Sequence, residues 1–366
     1  MPLRTEEMLL NIGPHHPSTH GVFRVVVKVD GERITGAKSV LGYLHRGTEK
    51  ICEDLNYTQI IPYSDRLDYL AGMLNNYAVV HSVETLMGIE VPERAEYLRI
   101  ISMEFSRICS HLVWWGTFVL DLGATTPFVW AFRDREIIMQ LLNELSGARM
   151  TFNYMRVGGV KWDAPEGWLA KIAEFIPEMR KKLKDYHTLV TNNEIFVKRI
   201  EGIGVYDAEK AIDYGITGPN LRGCGMDADL RKLQSYSAYD RFDFEVAVGK
   251  DGTIKDRYNV RMKEIETSLN IIEQAVKNIP EGEIMCNVPK LIRPKEGEVY
   301  TRLESSKGEL GVHLVSKGKD KPYRIHFRRP SFINLQILEE LLIGKTVADI
   351  PPILGAIDIV VGEVDG

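Results

Sequence analysis

The stretch PERAEYLRIISMEFSRICSHLVWWGTFVL, residues 92–120, decides how this chain folds. Pro92 suits the first helical position, and Glu93 lies in the first turn, where the helix dipole favours an anion. Leu98, Ile100, Ile101, Met103, Phe105, Ile108, Leu112, Val113, Trp114 and Trp115 between them cover the circumference. A helix that is apolar all round is a buried helix, so the pattern predicts a core element wrapped by others. Glu104, Arg107 and His111 fall at i, i+3 and i+7 and form its one polar stripe. Unpaired buried charges cost several kcal/mol each, so Glu104 and Arg107 read first as a structural ion pair.

Working outward, Gly88 closes a preceding helix expected over about 66–87, capped by Ser64 or Asp65 after an interruption at Pro62. A short helical segment is expected from His45 to about Asp54. Further helices are expected over about 127–146, 165–191 and 253–278; long segments joined by short loops make a bundle. The ends read as sheet. Residues 22–29 alternate as a strand, Asp30-Gly31 supplies a hairpin turn, and 32–41 return. Near the other end, strands are expected at 298–302, 311–315 and 323–328, then a helix at 332–342. The expected class is α+β, a central long-helix bundle flanked by an N-terminal antiparallel β-hairpin or sheet and a C-terminal α+β region. One integrated body is expected, with the sheet at 1–41, the bundle at 42–200 and a mixed region at 201–366 packing back on it.

At 44% hydrophobic and 27% charged over 366 residues, the chain has the make-up of a folded protein, and its net charge of −5 without a basic run argues against nucleic-acid binding. Cys52, Cys109, Cys224 and Cys286 stand far apart with no Cys-x-x-Cys, so the chain cannot by itself offer four thiolates to an iron–sulfur or zinc centre. Such scattered cysteines suit a reducing compartment. The charged N-terminus shows no apolar signal region. Between Arg107 and Arg133 the only formal charge is Asp121, but the break at 121–127 leaves two apolar pieces too short to cross a bilayer. No Gly-x-Gly-x-x-Gly after a strand, P-loop or His-Glu-x-x-His is present, so nicotinamide or nucleotide binding by this chain is not expected.

The candidate chemistry gathers around residues 13–21, Gly-Pro-His-His-Pro-Ser-Thr-His-Gly, which hold three of the nine histidines. Two prolines and two glycines keep His15, His16 and His20 out of a helix and on a loop beside the N-terminal hairpin. From the residues alone, a stiff turn with incidental histidines explains this as well as a functional loop does. Asp121 has no cation within four residues and needs a partner from elsewhere, for which a histidine of that loop is a chemically sensible candidate. Asp65, Arg66, Asp68 and Tyr69 crowd one turn, where capping accounts for the acids and Tyr69 reads as core with its hydroxyl at a wet edge.

Seven segments, in order over the whole chain, resemble the hydrogenase-like large subunit of respiratory complex I, the 49-kDa subunit family of NADH-quinone oxidoreductases. They are residues 11–21, Gly-Tyr-Leu-His-Arg-Gly-Thr-Glu-Lys at 42–50, Asp-Arg-Leu-Asp-Tyr at 65–69, and Asp-Leu-Gly-Ala-Thr-Thr-Pro-Phe at 121–128. Arg-Val-Gly-Gly-Val at 156–160, Lys-Gly-Glu-Leu-Gly at 307–311 and Gly-Glu-Val-Asp at 362–365 complete the set. The resemblance implies a [NiFe]-hydrogenase large-subunit-like fold whose old metal pocket ends a quinone cavity shared with a small iron–sulfur subunit. It implies that His20 and Tyr69 hydrogen-bond the two quinone carbonyl oxygens, that Asp121 pairs with His20, and that Arg46 lies near the partner's terminal cluster. No cofactor is implied for this chain alone, and no metal. Quinone is the implied substrate. The implied partners are the cluster-bearing small subunit, other peripheral-arm subunits and a membrane subunit of the quinone channel, with no nucleic acid. The implied place is peripheral, on the cytoplasmic side of the cell membrane, in a proton-translocating enzyme fed by NADH or ferredoxin.

A [NiFe]-hydrogenase-type enzyme is the alternative. Val360 and Glu363 stand where its second thiolate pair would be, and soft ligands for nickel are missing. The chain departs from the family at Thr151, where many relatives carry a histidine associated with a pH-dependent cluster potential. That departure implies a lower cluster potential and a lower-potential quinone such as menaquinone or plastoquinone. Gly366 stands where arginine is usual.

Overall fold

The computed structural model describes residues 7–19 and 21–366. Strands β1 (Glu7–Ile12), β2 (Arg24–Asp30) and β3 (Arg33–Val40) form an antiparallel sheet in that order. Val25, Val27 and Val29 alternate into the core while their neighbours face outward, and Gly31, at φ 64°, makes the tight turn to β3. Two helices follow, α1 (Thr48–Cys52) and α2 (Tyr57–Ser64). In α2, Asn56 and Gln59 exchange side-chain and backbone bonds as a capping box, and Pro62 lies inside the helix instead of ending it.

The next helix, α3 (Gly72–Met87), begins later than the expected 66. The Asp68 carboxylate accepts from the backbone N–H groups of Leu70 (3.1 Å) and Ala71 (3.3 Å), holding 65–71 in turns where a helix would need those donors elsewhere. Ser64 and Asp65 therefore end α2; neither caps α3. Gly88 closes α3 in the left-handed region.

Helix α4 (Glu93–Asp121) is the axis of the molecule, with Pro92 as its N-cap residue. It packs against α3, α5 (Thr125–Ser146) and two helices from later in the chain, which run over Ile254–Asn278 and Ile350–Ile357. Gly116 sets the approach of α5: a Cβ there would stand 3.0 Å from the Ala131 Cβ and 3.3 Å from the Phe128 Cα. Beyond α5, the short strands β4 (Met155–Arg156) and β5 (Gly159–Val160) lead to α6 (Trp168–Tyr186), which ends in a π-helical turn at His187–Thr191. Four short helices follow: α7 (Glu194–Ile200), α8 (Ala208–Asp213), α9 (Pro219–Arg222) and α10 (Leu230–Leu233). The long α11 (Ile254–Asn278) starts from a Thr253–Asp256 capping box.

Strands β6 (Gly297–Ser305), β7 (Gly308–Ser316) and β8 (Arg324–Arg328) form a second antiparallel sheet. The chain closes with α12 (Pro330–Asn334), α13 (Leu338–Leu342), α14 (Ile350–Ile357) and α15 (Val361–Val364). The two ends meet: Ile34 and residues 344–345 exchange backbone hydrogen bonds, and the Asp365 carboxylate accepts from the N–H groups of Gly42 (2.8 Å) and Leu44 (2.7 Å).

Buried charge ties these parts together. Glu104 accepts from Tyr239 (2.5 Å) and Ser268 (2.6 Å) and pairs with Arg107 and Arg231. His111 meets Glu264 at 2.7 Å, Glu264 also binds Arg222, and Arg222 reaches Glu304 at 2.6 Å. The stripe on α4 is thus part of a buried ion-pair network that continues into α9, α10, α11 and β6. Among the described residues no helix is long and apolar enough to cross a membrane.

Candidate functional site

The wide apolar surface of α4 is covered everywhere except along one line. Val113 and Thr117 are only half-buried and Leu120 is exposed, residues spaced one helical turn apart, and the line runs out at Asp121. This line is one wall of a cavity of about 400 Å3. Tyr69, from the turns that precede α3, and Ile359 and Val360, between α14 and α15, supply other walls, and Pro17 of the N-terminal loop reaches its edge. The size and the mainly apolar walls, with a few polar groups facing in, suit a flat organic ring bearing hydrogen-bond acceptors.

Tyr69 is 40% exposed and opens to this space. Burial, and then the charge of neighbouring Asp68, raise its phenol above the usual value, while Lys307 pulls it back. It therefore stays a protonated hydrogen-bond donor at neutral pH. Asp121 ends α4 and lines the same cavity. Asp358 lines it too, in the left-handed region (φ 62°) that aspartate tolerates better than most residues, with Oδ2 3.3 Å from the Arg261 Nε.

His20 lies outside the described residues. On either side of it, Thr19 is buried, with its hydroxyl 2.7 Å from the His16 carbonyl and 2.9 Å from that of Gly21. Gly21 sits against α15, where a Cβ would stand 3.0 Å from Val361 Cγ2. His15 and His16 are exposed, and His16 Nδ1 accepts from the nearby Ser18 N–H. Arg46 does not line the cavity. It lies on the exposed turn before α1 and donates to the Arg66 carbonyl at 3.2 Å. Its turn is held from the far end of the chain, by Asp365 as described and by a 2.7 Å contact of His45 Nδ1 with the Asp365 carbonyl.

A sequence profile of the family described as the 49 Kd subunit of respiratory-chain NADH dehydrogenase matches residues 121–296 and 288–366. Proteins that bear the name of the D subunit of NADH-quinone oxidoreductase, from Bacillus anthracis, Bacillus thuringiensis subsp. konkukian (strain 97-27) and Bacillus cereus (strain ATCC 10987 / NRS 248), are each 62% identical over 365 residues, spanning 100% of this chain and of each relative. The chain belongs to this family. As a 49-kDa-family protein it is part of an oxidoreductase complex.

Two of the segments that carried the family resemblance turn out to be structural clasps. In Arg-Val-Gly-Gly-Val, the Gly158 N–H donates to Glu84 at 2.7 Å, and a Cβ on Gly159 would fall 2.0 Å from the Ile284 carbonyl oxygen, so only glycine lets the segments meet. In Lys-Gly-Glu-Leu-Gly, Gly308 closes on Thr217 in the same way, and Lys307 is wholly buried. Val360 lines the cavity, and buried Glu363 accepts from Ser331.

Sequence reasoning did not single out Asp358, Lys307 or Asp68 for this site. Asp358 carried a usable signal, a lone charge inside the apolar run Ala-Ile-Asp-Ile-Val-Val. For Lys307 no local signal exists, because a lysine in a hairpin turn is ordinarily solvated.

Proposed function

We propose that this chain forms the end of the quinone cavity in a proton-translocating NADH- or ferredoxin-quinone oxidoreductase. The observation that carries the reading is the meeting of Tyr69 and Asp121, distant in sequence, at one apolar-walled cavity. The headgroup lies between Tyr69, which donates to one carbonyl oxygen, and His20, which donates to the other with Asp121 as its partner. Reduction adds two electrons and two protons to the quinone. Imidazole is suited to give a proton near neutral pH, and a carboxylate beside it holds its orientation and stabilises its cation. The phenol is a weaker acid, but a good donor to an oxygen that gains negative charge.

The electrons arrive from an iron–sulfur cluster in the small partner subunit, since the four cysteines here are dispersed and three of them are buried. Arg46 faces that partner, its fixed charge favouring the reduced cluster. Other peripheral-arm subunits and a membrane subunit of the quinone channel complete the assembly on the cytoplasmic side of the membrane. The test is quinone reduction by the assembled complex carrying His20→Ala, Tyr69→Phe or Asp121→Asn. Loss of quinone turnover with the iron–sulfur clusters still reduced by the donor is expected. Normal turnover in both the His20 and Tyr69 variants would remove the site assignment.

A further inference from the structure

The β6–β7 hairpin has a two-residue turn, Ser306 and Lys307, and this tip is driven into the protein instead of out to solvent. Lys307 is 0% exposed, with Nζ 2.8 Å from Ser110 Oγ and 3.2 Å from Asp68 Oδ2. Asp68 is the residue before Tyr69. Asp358 and Glu363, both buried, also act on the Lys307 charge. Gly362, next to Glu363, lies against the tyrosine: a Cβ on it would stand 3.8 Å from Tyr69 Cε1. The hairpin tip, the turn before α3 and the C-terminal segment thus bring one buried charge cluster up behind the candidate quinone-site phenol.

The cluster does not balance. Asp68, Asp358 and Glu363 face two buried cations, Lys307 and Arg261, and a surplus negative charge in a dry interior is costly unless one carboxyl keeps its proton. Arg257, the buried cation that also acts on Arg261, donates to the carbonyls of Gly252 (2.9 Å) and Gly204 (2.6 Å), and Arg329 donates to the main-chain carbonyls of Glu363, Val364 and Gly366, so neither pairs with a carboxylate of the cluster. On the far side of Arg261, Glu264 is already satisfied by Arg222 and His111. Glu363 is the carboxyl best placed to stay protonated. Among the described residues its Oε1 is buried without a hydrogen-bond partner, and no cation lies within ion-pair distance of it. Burial first, then Asp68, push its pKa up to about 7 against the opposing pull of Ser331 and Lys307.

We infer that Glu363 holds the proton that restores Tyr69 after the phenol has given its own to the reduced quinone, with Lys307 as the fixed cation that stabilises the transient phenolate. This rests on the proposed role of Tyr69. The quinone takes two electrons in succession from the partner's iron–sulfur cluster, one proton from the Tyr69 O–H and the other from the His20 imidazole. The phenolate oxygen then takes the Glu363 carboxyl proton, and the carboxylate left behind is reprotonated from solvent. Lys307 changes no bond.

The experiment follows quinone reduction by the assembled complex against pH for the wild type and for Glu363→Gln, Glu363→Asp, Ser331→Ala and Tyr69→Phe, with donor-driven cluster reduction as the check on assembly. The wild type should lose activity as pH rises through about 7, because the stored proton is lost there. Glu363→Gln should fall about a hundredfold, the lower range for a general acid, and lose that alkaline limb, whereas Glu363→Asp recovers both in part. Ser331→Ala removes a hydrogen bond that favours the carboxylate, so its alkaline limb moves to higher pH. This holds the test open even where the glutamine variant fails to assemble. Wild-type rate and pH profile in Glu363→Gln, or an unmoved limb in Ser331→Ala, with Tyr69→Phe inactive, overturns the inference and leaves the site reading standing. An active Tyr69→Phe removes the site reading and the inference together.

Discussion

Arg99 offers a direct measure of how much the buried charge holds this fold together. It is 0% exposed and meets Glu84 through two nitrogens, at 2.6 and 3.1 Å, and Glu96 at 3.1 Å. It also donates to the carbonyls of Arg156 (2.8 Å) and Gly159 (3.0 Å), so one side chain fastens α3 and α4 to the Gly158–Gly159 clasp. Arg99→Met keeps much of the volume but strands Glu84 as an unpaired buried charge, which costs about 3–5 kcal/mol. Two carbonyls lose a donor as well, at about 1 kcal/mol each. A total of about 5–7 kcal/mol, set against an unfolding entropy of about 2.1 cal/mol/K per residue, lowers the melting midpoint of a chain of 366 residues by about 6–9 °C. Fluorescence melting reads this directly, because Trp114, Trp115 and Trp168 are buried and shift on exposure.

The discriminating variant is the double one. Glu84→Gln in the Arg99→Met background removes the stranded charge while keeping an oxygen for the Gly158 N–H, so two changes should destabilise less than one. An Arg99→Met midpoint within about 1 °C of wild type, or a double variant less stable than the single one, refutes the reasoning.

Gly116→Val forces a branched side chain into the α4–α5 contact and should cost about 1–3 kcal/mol, read as a lowered melting midpoint. Thr117→Trp projects into the cavity and should raise the KM for quinone more than it lowers kcat, as measured in the assembled complex. Asp65, 0% exposed, has its pKa pushed up to about 7 by burial, against the pull of Arg66 at 3.8 Å. A carboxyl whose folded pKa is raised contributes stability that is fully present below its unfolded value and is lost as pH rises to the folded one. The wild type should therefore lose stability between about pH 4 and 7, and Asp65→Asn should flatten that slope in denaturant midpoints taken across the range.

The long helices were legible because their signals are local. The all-round apolar surface of α4 and the Gly88 stop of α3 each act within a few residues. The start of α3 was not legible, because the Asp68 side chain competes for the very N–H groups that a capping pattern leaves open. The Glu104–Arg107–His111 stripe could be read as buried charge, but not its partners Arg222, Arg231, Glu264 and Glu304, which come from segments that share no pattern with α4. At the site, Tyr69 and Asp121 came from motif resemblance, and bottom-up reasoning reached only Asp121's need for a partner. The cluster behind Tyr69 stayed hidden because it is made by three distant segments and a hairpin tip that ordinary turn chemistry places in water.

The contact of Asp365 with Gly42 and Leu44, and the place of Asp358, Ile359 and Val360 in the cavity wall, carry a consequence for biosynthesis. A ribosome makes Pro17 and Tyr69 long before Asp358, Ile359 and Val360. The cavity therefore cannot close until these later residues are made, and a nascent chain, however much of its helical core has already condensed, lacks one of its walls.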